Sequence, residues 1–356
     1  MTKIMYILNY IGDGGTEKYV MNLIEAVGRD HCIFVYSTPG PLLKKFKQMN
    51  IPIYQVKMRH PFDLQAAWKI RQIVLRENID IIHTQFLREN FISILAKKLG
   101  ANVRVIWTYH VDVPMPFFLK NINELFTKNN DTIICVSQFM KNRLLEKGAT
   151  SHKLQVIYNG VEDPLVTKPT FQNNVKQIGV IGRLSKEKGH YFLLHALRNL
   201  QNARPSFQWH CNIIGEGPLK LALEEETISL GLSGSVSFKG FCENVVEEYI
   251  NNDIIVIPSE NESLSYVAIE SLAMEKPVIA TRIGGLPEVV IHNETGLLVP
   301  YGDHKELAHA IQELLENEEL YARIANQGRN HYLQHFTFAN MIHKTFEVYN
   351  HSDCNE

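Results

Sequence analysis

Two glutamates eight positions apart, Glu262 and Glu270, lie in residues 258–273, where a strand pattern gives way to a polar loop and then to a helical pattern starting near Leu264. A carboxylate at a helix mouth sits beside backbone N–H groups that, with the helix dipole, favour an anion such as a diphosphate. Glu270, about two turns further on, can accept hydrogen bonds from neutral hydroxyls. The plainer reading is a first-turn capping charge and a solvated helix residue. Opposite charge comes from Gly182-Arg183-Leu184-Ser185-Lys186-Glu187-Lys188-Gly189, which joins a strand pattern to a helix pattern. Arg183 and Lys188 could meet a diphosphate from one side, or simply face solvent as loop cations usually do.

The first half carries two further groups. Gly12-Asp13-Gly14-Gly15-Thr16-Glu17 joins the first strand to the first helix, where glycine allows a ligand close to the backbone, unless the segment is a plain turn. His110 ends a predicted strand, the place where open α/β sheets hold ligands, although a lone histidine there is more often structural. The same ambiguity attaches to His83. Val113-Pro114-Met115-Pro116-Phe117-Phe118-Leu119 reads as an acceptor-side lid or as core. Leu42-Leu43-Lys44-Lys45-Phe46-Lys47 reads as a basic amphipathic face for an anionic membrane, or as a solvated helix face.

The elements that must position these groups alternate. Residues 4–8, 32–36, 51–56, 79–83, 103–109, 132–136 and 154–157 read as strands, with helices at 16–27, 63–76 and 90–99. A stretch rich in Gly, Pro, Thr and Asn at 159–177 reads as a linker. A second series follows at 177–182, 209–214, 236–239, 254–258, 277–281 and 296–299, and the chain then reads as helical to Tyr349. This is an α/β pattern with two parallel sheets.

Composition narrows the classes. The 356 residues suit two domains, and 36 basic against 38 acidic side chains give no global field for nucleic acid. No run approaches the roughly 20 apolar residues of a membrane span, so the expected location is the cytoplasm or the inner face of a membrane. The five scattered cysteines read as free thiols rather than a metal site. There is no phosphate-loop motif, Gly215-Glu216-Gly217-Pro218 lacks the third glycine of a dinucleotide fingerprint, and no two aspartates stand one residue apart.

The 258–273 block resembles the E-x7-E signature of retaining glycosyltransferase family 4, and residues 182–189 resemble that family's G-R-(x)4-K-G element. The resemblance covers nearly the whole chain. It implies the GT-B fold, two Rossmann-like α/β/α domains facing across a cleft and closing on the donor. The acceptor-binding domain is then 1–162, the donor domain 174–336, and the helix 337–350 packs back on the first. It assigns Glu262 to the donor sugar, Glu270 to the ribose, Arg183 and Lys188 to the diphosphate, and His110 to the transferred sugar. His110, Arg183, Lys188 and Glu262 are thus the catalytic group. The donor-binding group is Gly14, Gly15, Gly182, Gly215, Glu216, Gly217, Phe241, Ser263, Leu264, Ser265 and Glu270. The family commonly has glycine where this chain has Ser263 and Ser265, which narrows the space beside the donor sugar. The implied reaction is metal-independent, retaining transfer of a hexosyl or N-acetylhexosaminyl group from a UDP-sugar. The acceptor is a sugar or lipid-linked saccharide, in cell-surface polysaccharide or glycoconjugate synthesis, and no cofactor is needed beyond the nucleotide sugar. A non-hydrolysing sugar-nucleotide epimerase and a non-catalytic sugar-nucleotide-binding protein are the alternatives.

Overall fold

The β-branched runs form parallel sheets, as near-continuous apolar strands do when helices cover both faces. A computed structural model describes residues 2–113, 120–164, 175–242 and 244–350. They divide into two compact units, Met1–Asn159 with Met341–Glu356, and Gly160–Asn340. Residues 114–119 of the lid candidate, 165–174 of the linker candidate and Cys354 lie outside the described residues.

In the first unit β1 (Ile4–Tyr10), β2 (Cys32–Thr38), β3 (Ile53–Gln55), β4 (Ile81–Thr84), β5 (Arg104–Tyr109), β6 (Thr132–Cys135) and β7 (Leu154–Val156) lie in the order β3-β2-β1-β4-β5-β6-β7. Met5, Ile7, Ile33 and Val35 pack with Ala67, Ile70 and Ile92 of the helices Leu64–Glu77 and Leu87–Lys98. Tyr6, one residue out of step, bonds the hydroxyl of Tyr349 in the last helix, Phe338–Asn350, at 3.1 Å. Arg104 also donates to Tyr349 O and Val348 O at 2.7 Å, so the end of that helix is fastened to this sheet.

In the second unit β8 (Lys176–Ile181), β9 (Trp209–Ile214), β10 (Val236–Gly240), β11 (Ile254–Ile257), β12 (Val278–Thr281) and β13 (Gly296–Val299) lie in the order β10-β9-β8-β11-β12-β13. Ile178, Val180, Ile213 and Val256 pack with Leu193, Leu197 and Ile311. Gly160–Asp163 belongs here: Tyr332 Oη donates to Val161 O at 3.1 Å and Arg329 pairs with Asp163 at 2.6 Å. Each sheet reverses strand order once, between β1 and β4 and between β8 and β11. Such a switch point is where open α/β sheets bind ligands, beyond the carboxyl ends of the strands.

One expectation changes. The short helix Leu43–Gln48 exposes Lys44, Lys45 and Lys47 but buries Phe46, whose ring stacks on Phe34 at 4.0 Å. The aromatic anchor of the membrane reading is therefore a core residue: Phe46 lies two positions from Lys44, on the opposite face of the helix, and one position, about 100° of turn, from Lys45 and Lys47. No helix of the described residues is long and apolar enough to cross a membrane.

Candidate active site

The loops after β8 and β11 bring the two charged constellations together. Gly189 (φ +70°) ends the first loop, and a Cβ there would lie 1.8 Å from Pro258 O, so only glycine lets the loop press on the end of β11. Across this contact Lys188 Nζ donates to Glu262 Oε1 at 2.5 Å and Ser259 Oγ donates to the same oxygen at 3.0 Å. The pair is partly shielded, with the Lys188 side chain 30% and the Glu262 side chain 10% exposed. The Lys188 stem passes over Gly182, and Arg183 in the same loop is exposed.

The neighbouring loops align beside it. Gly182 N donates to Ile214 O, Leu184 N to Glu216 O and Gly215 N to Gly240 O, at 2.8–3.0 Å. Residues 182–189, 215–218 and 240–241 thus form one rim, with Gly217 against Leu184 and Phe241 70% exposed. Glu216 is held by Lys220 at 2.9 Å.

The helix carrying Glu270 runs Tyr266–Ala273, two residues later than the sequence suggests, because Ser265 rather than Glu262 caps it: Ser265 Oγ accepts from Ala268 N at 3.4 Å. Ser265 does so at φ +88°, backbone that glycine adopts freely and an L side chain does not. Leu264 is 2% exposed, so its side chain belongs to the core, while Ser263 is half-buried. Glu270 Oε2 accepts from Tyr249 Oη at 2.6 Å. Burial, then the charge of Glu270, pushes the Tyr249 pKa upward and keeps it a donor.

Two supports escaped the sequence. No motif or spacing in the sequence singles out Tyr249. Gly284 (φ +54°) approaches so closely that a Cβ would lie 1.9 Å from Glu262 O, while Gly285 N donates to that oxygen at 3.0 Å. The signal available was a Gly-Gly pair just past the strand at 277–281.

In the first unit, Glu17 folds back on the glycine loop: Oε1 accepts from Gly12 N at 2.7 Å and Oε2 from Gly14 N at 3.1 Å. The chain's own carboxylate thus shapes the loop, leaving Gly14 exposed and Gly15 half-buried at the start of the helix Gly15–Val27. His110 lies past β5, its ring 4.9 Å from Tyr19 and its Nε2 2.9 Å from Gln85 Oε1. Burial lowers its pKa to about 3, so the imidazole is neutral at working pH. His83 is fully buried between Tyr349 Oη and Thr108 Oγ1, both at 2.7 Å, and is structural. Glu89, also fully buried, accepts from Asn9 N, and burial raises its pKa to about 7. Of the lid candidate only Val113 is described, and it is exposed.

Both halves match known families. Residues 163–331 match the family described as glycosyl transferases group 1, and residues 13–163 match glycosyltransferase family 4. The chain is a glycosyltransferase of family 4 with the two-domain GT-B fold. N-acetyl-alpha-D-glucosaminyl L-malate synthase of Bacillus anthracis is 26% identical over 317 residues, 85% of this chain and 83% of its own. The lipopolysaccharide core biosynthesis glycosyltransferase LpsD of Rhizobium meliloti is 26% identical over 92% of both chains. The structure of HepE from Anabaena in complex with UDP and glucose superposes with a TM-score of 0.86 at 21% identity, covering 99% of this chain and 100% of that one.

Proposed function

We propose that this glycosyltransferase moves a hexosyl or N-acetylhexosaminyl group from a UDP-sugar to a hydroxyl acceptor with retention of anomeric configuration and without a divalent metal. The observation that carries the reading is the Lys188–Glu262 pair at the switch point of the second sheet, with Arg183 in the same loop. As the sugar–phosphate bond breaks, negative charge grows on the departing diphosphate. A cation about 4 Å away in a partly shielded site supplies about 4 kcal/mol of gross attraction at an effective dielectric near 20. Arg183 and Lys188 take that role. Glu262 accepts from the sugar hydroxyls, Glu270 from the ribose, and the rim of 215–217 and Phe241 receives the base.

His110, held neutral, orients the transferred sugar rather than donating a proton as imidazolium. The acceptor hydroxyl passes its proton to the leaving diphosphate, so no protein nucleophile is required and catalysis is mainly positioning and charge stabilisation. The UDP assignment is supported by the ligand of HepE, and a saccharide acceptor of a surface glycoconjugate by the role named for LpsD. Support for metal independence comes from these two cations and from a sequence without paired aspartates.

The test is UDP release from a panel of UDP-sugars with and without saccharide acceptors, repeated under chelation, with the product's anomeric configuration read by NMR. Acceptor-dependent release that persists under chelation and gives an axial product from an axial donor is expected. Inversion, or turnover lost to chelator and restored by manganese, contradicts the corresponding part.

A further inference from the structure

His190 is the first residue of the helix His190–Ala203 and is 2% exposed, yet neither ring nitrogen has a hydrogen-bond partner among the described residues. Two unsatisfied polar atoms in a buried ring are costly, and native proteins keep few of them without a use. The ring is neutral, since burial and then Lys188 lower its pKa to about 4, so it has one N–H to donate and one lone pair to accept with.

Its position narrows that use. His190 lines one small cavity with Lys188, Ser259 and Glu262, between the ends of β8 and β11, with a volume of about 10 Å³, room for one water at most. Gly189, pressed on Pro258 O, fixes the His190 backbone against the strand end that carries Ser259 and Glu262. Lys188 and Ser259 both bond Oε1 of Glu262. A diphosphate recruiting Lys188 removes the charged partner of a carboxylate that is only 10% exposed, and a shielded charge deprived of its partner is strongly disfavoured.

We propose that His190 is a positioning residue of the donor site: as Lys188 turns to the diphosphate, the His190 N–H becomes a hydrogen-bond donor to Glu262 and holds its carboxylate in place for the sugar. A neutral donor suits this exchange, because it keeps the carboxylate from standing alone without cancelling its charge. The inference rests on the donor-site reading above.

The test compares UDP with uridine, which lacks the diphosphate, on the full chain. His190→Phe keeps a ring in the cavity and removes both nitrogens. It is expected to raise the Kd for UDP about tenfold and leave that for uridine within twofold, while His190→Gln, which retains an N–H donor, recovers UDP affinity to within about threefold of wild type. In the wild-type chain the ¹⁵N resonances of the His190 ring are expected to move on adding UDP and to stay fixed on adding uridine. Unchanged UDP affinity in His190→Phe, or equal losses for UDP and uridine, overturns the proposal. So do ¹⁵N resonances that ignore UDP, as a permanent buried water on the ring would give, and this result stands even if the variants do not fold. A wild-type chain that binds no UDP brings down the donor-site reading and this inference together. One that transfers sugar while the His190 resonances stay fixed brings down the inference alone.

Discussion

Tyr249 and Ser265 show how single residues set the surroundings of Glu270. The Tyr249 hydroxyl fixes one carboxylate oxygen of Glu270, and a hydrogen bond to a charged group contributes about 1.5–3 kcal/mol. A ribose contact far from the breaking bond is made equally in ground and transition states, so disturbing it changes binding rather than the chemical step. Tyr249→Phe is therefore expected to raise donor KM about tenfold with kcat within twofold of wild type. Steady-state kinetics decide it, and a fall in kcat at unchanged KM contradicts the role. Ser265 carries a cap and a strained φ together, the cap being worth about 1 kcal/mol and the strain costing about 1–3 kcal/mol. Ser265→Ala loses the cap and keeps the strain, whereas Ser265→Gly loses the cap and relieves it. Denaturant unfolding is expected to place the alanine variant about 1 kcal/mol below the glycine variant, and equal stabilities would show that φ is not limiting.

At the scale of elements, alternating apolar runs marked the strands at 209–214 and 296–299 to the residue and the remainder to within a few positions, because buried parallel strands are contiguous in sequence. Both charged constellations were legible for the same reason, each following a strand directly. What the sequence hid were pairings between distant loops. Lys188 and Glu262 are 74 residues apart, and their meeting depends on β8 and β11 becoming neighbours, which local patterns do not specify. The start of the helix carrying Glu270 was misplaced because a serine cap at positive φ has no periodic signature. The support by the loop after β12 was hidden too, since a Gly-Gly pair reads as any turn until the backbone against it is known. That support is testable: Gly284→Ala places a Cβ 1.9 Å from Glu262 O in left-handed backbone and must displace the loop. It is expected to cost on the order of 2 kcal/mol of stability and most of the transfer activity. A variant with wild-type melting and turnover would show that the two loops are not coupled.

For the whole molecule, buried imidazoles set the response to acid. His83 and His110 have pKa values lowered to about 3 and His190 to about 4, against about 6.5 in the unfolded chain. Their contribution is complete above pH 6.5 and is lost as pH falls towards the folded values, because the unfolded chain then binds protons that the folded chain refuses. Glu89 opposes them. Its pKa, raised to about 7 from a carboxylate value near 4.5, gives stability present below pH 4.5 and lost as pH rises through 7. Among these four groups three protons favour the unfolded chain and one the folded between pH 7 and 5, and His210, His304 and His331, also lowered by burial, act in the same direction as the three. The net loss is roughly 3 kcal/mol summed over both units. Chemical denaturation at the two pH values checks it, and stability unchanged or higher at pH 5 would show that these rings are not held neutral. The central claim, that Arg183 and Lys188 stabilise a departing diphosphate, is tested most directly by kcat for Arg183→Ala and Lys188→Ala at saturating UDP-sugar, in chains shown to be folded. Loss of one preorganised donor to a developing anion costs about 10²–10³ in rate, and that loss is the result predicted for each variant. If both stay within about threefold of wild type, the cations only face solvent and the account is contradicted.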